Sequence, residues 1–252
     1  MAGYALVLQV AHPTVGAGVS EHSVFRADPW GRLMRTLDAF YALVYGGPEA
    51  AAQTGRRLRA FHRTIKGVTP DGRRYRALDP EAYAWVHATL ADAIVRGHAR
   101  VGDRLEPAER ERFWAEWRRV GRLLGIRSGD LPGDWPEFEA YVEHMIRDRL
   151  EHTTAVDDVL RILAAPGAPP LPLPVRAGWP VAGIPLGRAL VLVTAGMLPA
   201  PLRERFGLRW TRAQQLELDV IARGLRAMTP LLGATRSVGP AYLALRRVAS
   251  AR

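Results

Sequence analysis

Proline and glycine punctuate a series of apolar stripes that repeat at the helical period, and this pattern most constrains what the chain can fold into. Asp28-Pro29 opens one stripe, where Leu33, Leu37, Phe40, Tyr41 and Val44 recur at helical steps before Gly46-Gly47. Proline suits a first helical position because its missing N–H would have no intrahelical partner there. Pro48-Glu49 starts the next helix, predicted to run to Lys66 with Gly67 behind it. Asp79-Pro80-Glu81 opens a third with Tyr83, Val86, Leu90 and Ile94 on its stripe. Pro107 opens a fourth with Phe113, Trp117, Val120 and Leu124, and Pro136 a fifth with Phe138, Tyr141, Val142 and Met145. Residues 4–11 form a short apolar run that ends at Pro13, and further helices are predicted near 154–164, 181–198, 211–228 and 240–249. Pro70-Asp71-Gly72 predicts a small hairpin or ordered loop over 68–78. No alternation is long enough for a sheet. The expectation is an all-α, single-domain bundle over residues 1–252, with the Pro/Gly-rich stretch 165–180 as an internal connector.

Composition then excludes chemistry. With no cysteine, disulfides, thiolate metal sites, iron–sulfur clusters, thiolate-ligated haem and cysteine nucleophiles are all ruled out. The net charge of +10 rests almost wholly on arginine, Lys66 being the sole lysine. An acidic partner such as nucleic acid, anionic lipid or a propionate-bearing cofactor would suit it. The arginines are scattered rather than blocked into a tail, with Arg56/Arg57, Arg73/Arg74, Arg118/Arg119 and Arg246/Arg247 in separate segments. That favours a coding bias toward arginine, and no nucleic-acid partner is expected. No secretory signal leads the chain, so a cytoplasmic protein is expected. The run Val181 to Ala200 is the most membrane-like, but it contains Arg188. A spanning helix would be penalised by that charge, so a buried or interface helix is expected, with no transmembrane segment and peripheral membrane contact left open.

Polar groups among apolar stripes are the candidates for chemistry. His62 shares a face with Leu58, Phe61 and Ile65, where a neutral imidazole can bind a metal or sit as a core histidine bonded to a carbonyl. Arg32, Arg35 and Thr36, at i, i+3 and i+4, share another face. They can bind an anion or handle bound oxygen, or form a solvated helix face. His87 lies in the stripe of Tyr83 and Leu90, with Thr89 nearby, as a metal ligand, pocket base or core histidine. His12, beside Pro13, can bond backbone carbonyls or face a pocket. Glu21 and His22, read as a loop, could supply a general base. Glu143-His144 and Glu151-His152 weakly suggest a di-metal carboxylate site, although that chemistry uses Glu-x-x-His. Trp114 and Trp117 read as core. HExxH, GxSxG and P-loop motifs are absent.

Four motifs occur in order: AHP at 11–13, FRADPWGRLMRT at 25–36, FHRTIKG at 61–67 and WVHATL at 85–90. Together they resemble the rubber oxygenases (latex-clearing proteins) and the MpaB-type oxygenase of mycophenolic acid biosynthesis, densely over residues 3–165 and loosely beyond. The resemblance implies a helical fold enclosing a haem b pocket, and the use of dioxygen on a C=C bond of an apolar, isoprenoid-like substrate. It implies His62 as the proximal iron ligand, and Arg32, Arg35 and Thr36 on the distal side. His87 is the alternative ligand or a pocket base, and His12 a haem-pocket position. Arg35 departs from the family's lysine, and arginine is a poor iron ligand. Related bacterial proteins begin earlier, with a helix before the equivalent of GYALVLQ, so the resemblance implies a chain short at its N-terminus. Three other readings stay open. They are a haem protein without turnover, a basic module binding nucleic acid or membrane, and a non-haem iron enzyme built from His12, His62 and His87.

Overall fold

The structure is a computed structural model that describes residues 1–69, 71–102, 104–170 and 178–228. The helix expected at 240–249, the Arg246/Arg247 pair, Pro70 and the middle of the 165–180 connector lie outside them. Eleven α-helices and one two-stranded hairpin make up the regular structure of the described residues, apart from short 3₁₀ and π turns. The fold is all-α, as expected.

Helix α1 (Ala2–Ala11) is the hub, with Tyr4, Ala5, Val7, Leu8, Val10 and Ala11 all buried. A helix apolar all round belongs inside a bundle, and α1 packs on α2 (Pro13–His22), α5 (Pro80–Val101), α8 (Thr154–Ala164) and α9 (Trp179–Met197). The Trp85 indole N–H donates to the Leu8 carbonyl at 2.9 Å, tying α5 to the hub. Pro13 does end the first apolar run, but it also occupies the first turn of α2, which pattern reading took for loop. The stretch is rich in glycine and serine and its apolar period is broken, so the signal was weak.

Two further helices, α3 (Pro29–Tyr45) and α4 (Gly47–Arg63), form a hairpin. The Asp28 carboxylate caps α3 by accepting from the Gly31 N–H at 2.8 Å. Gly47 turns the corner with φ +80, a left-handed conformation that glycine adopts without strain. Helix α4 ends three residues short of the predicted Lys66, because Lys66–Val68 becomes β1. That strand pairs antiparallel with β2 (Arg74–Arg76), placing Gly67 opposite Tyr75. The hairpin rests on α6 (Pro107–Leu123). A Cβ on Gly55 would meet the Leu123 carbonyl oxygen at 2.2 Å, so only glycine permits this approach.

The remaining elements close the bundle. Helix α7 (Trp135–His144) continues into a π turn (Met145–Arg149), and α10 (Ala200–Arg205) and α11 (Arg212–Met228) follow α9. Trp114 and Trp117 are buried, as read from the sequence. Helix α9 has the length and apolarity of a membrane-crossing helix, yet only 28% of its apolar window is buried. Val181 and Ile184, in its first two turns, are 79% and 66% exposed.

Candidate functional site

The α3–α4 hairpin brings two sequence candidates to one end. Arg32 lies 14 residues before Gly46, and His62 lies 15 after Gly47. At 1.5 Å per residue both sit roughly 21–23 Å from the corner. His62 is half-buried in the last turn of α4, its ring edge-on to Tyr83 of α5 with centroids 5.5 Å apart. Burial lowers the pKa of His62, which favours a neutral imidazole. Its Nδ1 is buried with no partner.

Arg32 is half-buried too, and its pKa is lowered by burial and then by neighbouring Arg35. It makes no ion pair among the described residues. Its two companions go elsewhere. Arg35 is exposed and pairs with Asp28 at 3.3 Å, and the exposed Thr36 hydroxyl donates to the Arg32 carbonyl at 2.9 Å. Helix α3 itself has no fully buried residue. Leu33, Leu37 and Phe40 of its apolar stripe are only half-covered.

His87 stands one turn beyond Tyr83 on α5, 2% exposed. It stacks on Trp117 of α6, with centroids 5.1 Å apart and planes 13° from parallel. The two residues bond reciprocally. His87 Nε2 lies 3.0 Å from the Trp117 carbonyl, and the Trp117 indole N–H donates to the His87 carbonyl at 3.1 Å. A carbonyl only accepts, so Nε2 carries the proton and Nδ1 is a bare lone pair, buried without a partner. Burial pushes this imidazole down to about 4. Gly121 makes room for it, since a Cβ there would sit 3.0 Å from Nε2. Phe40 of α3 also meets Trp117, with centroids 6.1 Å apart. An aromatic seam thus runs between the hairpin, α5 and α6.

His12 sits elsewhere, at the α1–α2 junction, 4% exposed. Its Nε2 is 3.1 Å from Glu81, which also accepts from Arg149 at 2.6 Å. Burial lowers its pKa and outweighs the opposing pull of Glu81. Glu21 and His22 close the end of α2 rather than a loop. Both meet the Tyr75 hydroxyl, which donates to Glu21 and lies 3.1 Å from His22 Nε2. Burial and then that bond to Glu21 push the Tyr75 phenol up to about 12. The Glu143-His144 and Glu151-His152 pairs do not share a helix, because α7 gives way to the π turn and then to extended backbone at Leu150. His144 pairs with Asp148 and His152 with Asp157, each at 2.8 Å.

Among the described residues no three His, Cys, Asp or Glu side chains converge to hold a metal ion. A non-haem site from His12, His62 and His87 therefore lacks its geometry. A haem asks less of the protein: it brings four nitrogens and needs one axial donor in an apolar slot. The neutral His62 imidazole with an unused nitrogen, beside the half-covered stripe of α3, fits that demand. His12 and His87 also present bare Nδ1 atoms, with the N–H of the other nitrogen anchored as in many ligating histidines, but both are enclosed by packing. Sequence patterning missed the partners that fix these groups: Tyr83 against His62, Trp117 around His87, and Glu81 with Arg149 at His12. Each contact crosses between distant elements, where no local spacing rule reaches.

A model of the family described as ER-bound oxygenase mpaB/B'/rubber oxygenase, catalytic domain, matches residues 1–227. The chain belongs to this family. The mpaB/rubber oxygenase match spans the hub, the hairpin and the aromatic seam, and it makes the protein a member of an oxygenase family. Among its relatives are uncharacterized proteins of Mycobacterium tuberculosis and Mycobacterium bovis. Each is 29% identical over 232 residues, covering 90% of this chain and 87% of its own. No solved structure matches.

Proposed function

We propose that the protein is a haem b-dependent oxygenase that uses dioxygen to oxidise or cleave a C=C bond of an apolar, isoprenoid-like substrate. The observation that carries this reading is the placing at one hairpin end of a neutral imidazole with an unused nitrogen, His62, and a half-buried arginine, Arg32, that makes no ion pair among the described residues. His62 would hold the iron. The bound cofactor would supply the activation of dioxygen, which no side chain here can perform. Arg32 offers a fixed positive charge, suited to a propionate or to negative charge developing on oxygen. Leu33, Leu37 and Phe40 offer a half-covered apolar wall that a bound apolar group would shield from water. Arg35 and Thr36 act on Arg32 and on the first turns of α3, as positioning groups held by Asp28 and the Arg32 carbonyl. The exposed apolar start of α9 supports peripheral contact with a membrane, from which such a substrate would come.

A second reading is a haem carrier or sensor. Arg35 favours it, because that side chain is exposed and engaged by Asp28 rather than free for a distal role. The deciding experiment is the absorption spectrum of haem-supplemented protein beside His62→Ala and His87→Ala variants, followed by oxygen uptake with an added polyisoprenoid. The expected result is a Soret band that collapses in His62→Ala alone, together with oxygen uptake by the parent. A band that survives His62→Ala overturns the ligand assignment. A band without uptake leaves the carrier or sensor reading.

A further inference from the structure

The second half of α5 carries a cleft that the oxygenase reading does not use. Its lining on α5, Asp92 to Arg100, runs from about 8 to about 20 Å along the helix from His87. It encloses about 420 Å³ between α5, the start of α6, α7 and the end of α9. Four arginines line it, Arg96, Arg100, Arg104 and Arg110, against two carboxylates, Asp92 and Glu139. With Asp219, which pairs with Arg100 from beside the cleft, the surplus is one positive charge. Three of the arginines are partly engaged: Arg96 with Asp92 at 2.8 Å, Arg100 with Asp219 at 2.6 Å and Arg110 with Glu139 at 3.4 Å.

Those pairings leave donors over. Arg100 spends Nη2 and Arg110 spends Nη1, while the Nε–H of each is buried with no acceptor among the described residues. The indole N–H of Trp135 is the third, buried and unpartnered on a side chain only 7% exposed. The Arg110 guanidinium carbon lies 5.9 Å from the Trp135 ring centroid, and Arg100 lines the same cleft. A buried N–H without an acceptor costs about 1–3 kcal/mol, and native proteins rarely leave one. Three around one electropositive cleft signal a missing acceptor with several oxygens and negative charge. The cleft also has an apolar side, formed by Leu105, Val142 and Met197.

We propose that this cleft binds a phosphoryl group, with Arg100, Arg110 and Trp135 donating to its oxygens and the apolar side taking the ester arm. A phosphoryl group offers three oxygens and negative charge, which matches three donors and a net positive lining. The group can come from a soluble phosphate monoester or from a monoester lipid headgroup. The experiment is calorimetric titration of the full chain with inorganic phosphate and with phenyl phosphate, at ionic strength matched with chloride. Vesicles containing phosphatidic acid or phosphatidylglycerol form a separate arm.

Trp135→Phe removes one N–H and keeps the ring. Arg110→Gln removes a charge in the cleft. Arg127→Gln removes an exposed charge paired with Asp130 elsewhere. Phosphate or phenyl phosphate affinity should fall at least tenfold in Trp135→Phe and in Arg110→Gln, and stay unchanged in Arg127→Gln. Preference for phosphatidic acid over phosphatidylglycerol, lost in Trp135→Phe, would assign the lipid source. Binding of soluble probes without that preference would assign the soluble one. Absence of binding in both arms, or equal weakening by all three variants, overturns the site. Far-UV spectra check folding, and neither arm depends on haem or oxygen uptake.

Discussion

At the scale of single residues, burial decides what each histidine can do. His87 is held neutral inside the α5–α6 contact, with its pKa pushed down to about 4. The unfolded chain takes up that proton near pH 6.5. Between about 6.5 and 4 the unfolded state therefore binds more protons, so stability is full above this window and falls as pH falls through it. The loss amounts to about 3 kcal/mol across the window. Urea unfolding of His87→Phe should show a shallower acid limb than the parent, and an identical limb would refute the assignment. The candidate site was only partly legible at this scale. Helical spacing placed Arg32, Arg35 and Thr36 on one face, but α3 lies at the surface and that face straddles the boundary. Arg32 turns inward, while Arg35 and Thr36 meet solvent. Spacing gives the angle around a helix axis but not where the solvent boundary falls.

At the scale of elements, the hairpin depends on a cap and on one close approach. Asp28→Ala removes the acceptor for the Gly31 N–H and the partner of Arg35. It should cost about 1 kcal/mol in denaturant unfolding. Gly55→Val should cost more, about 1–3 kcal/mol, because the new side chain meets the Leu123 carbonyl and pushes α4 off α6. If Gly55→Val unfolds at the parent's midpoint, α4 does not rest on α6 as described. Most helices were legible because proline, aspartate and glycine mark their ends. Asp28, Asp79 and Asp134 all cap helices through their side chains, and the helix at 154–164 matches its prediction residue for residue. Helix α2 was not legible. Its Gly16, Gly18 and Ser20 carry no apolar stripe, and its helicity comes from packing on α1, α8 and β2.

At the scale of the whole molecule, the apolar mass gathers on α1. Leu8→Ala should cost about 2–5 kcal/mol, since the side chain is wholly buried in the hub. Leu216→Ala, at a residue 63% exposed on α11, should stay within about 0.5 kcal/mol of the parent. Equal effects would remove α1 from the centre. That centre was only half legible. A short apolar run marked residues 4–11, but pairing them with α5, α8 and α9 requires contacts between residues far apart in sequence. The arrangement also carries a consequence for synthesis. The hub leaves the ribosome before the helices that cover it, and α8 begins more than 140 residues later. At roughly 5–20 residues per second its apolar surface waits on the order of 10–30 s for cover. Chains stalled before α8 should therefore be the ones that aggregate.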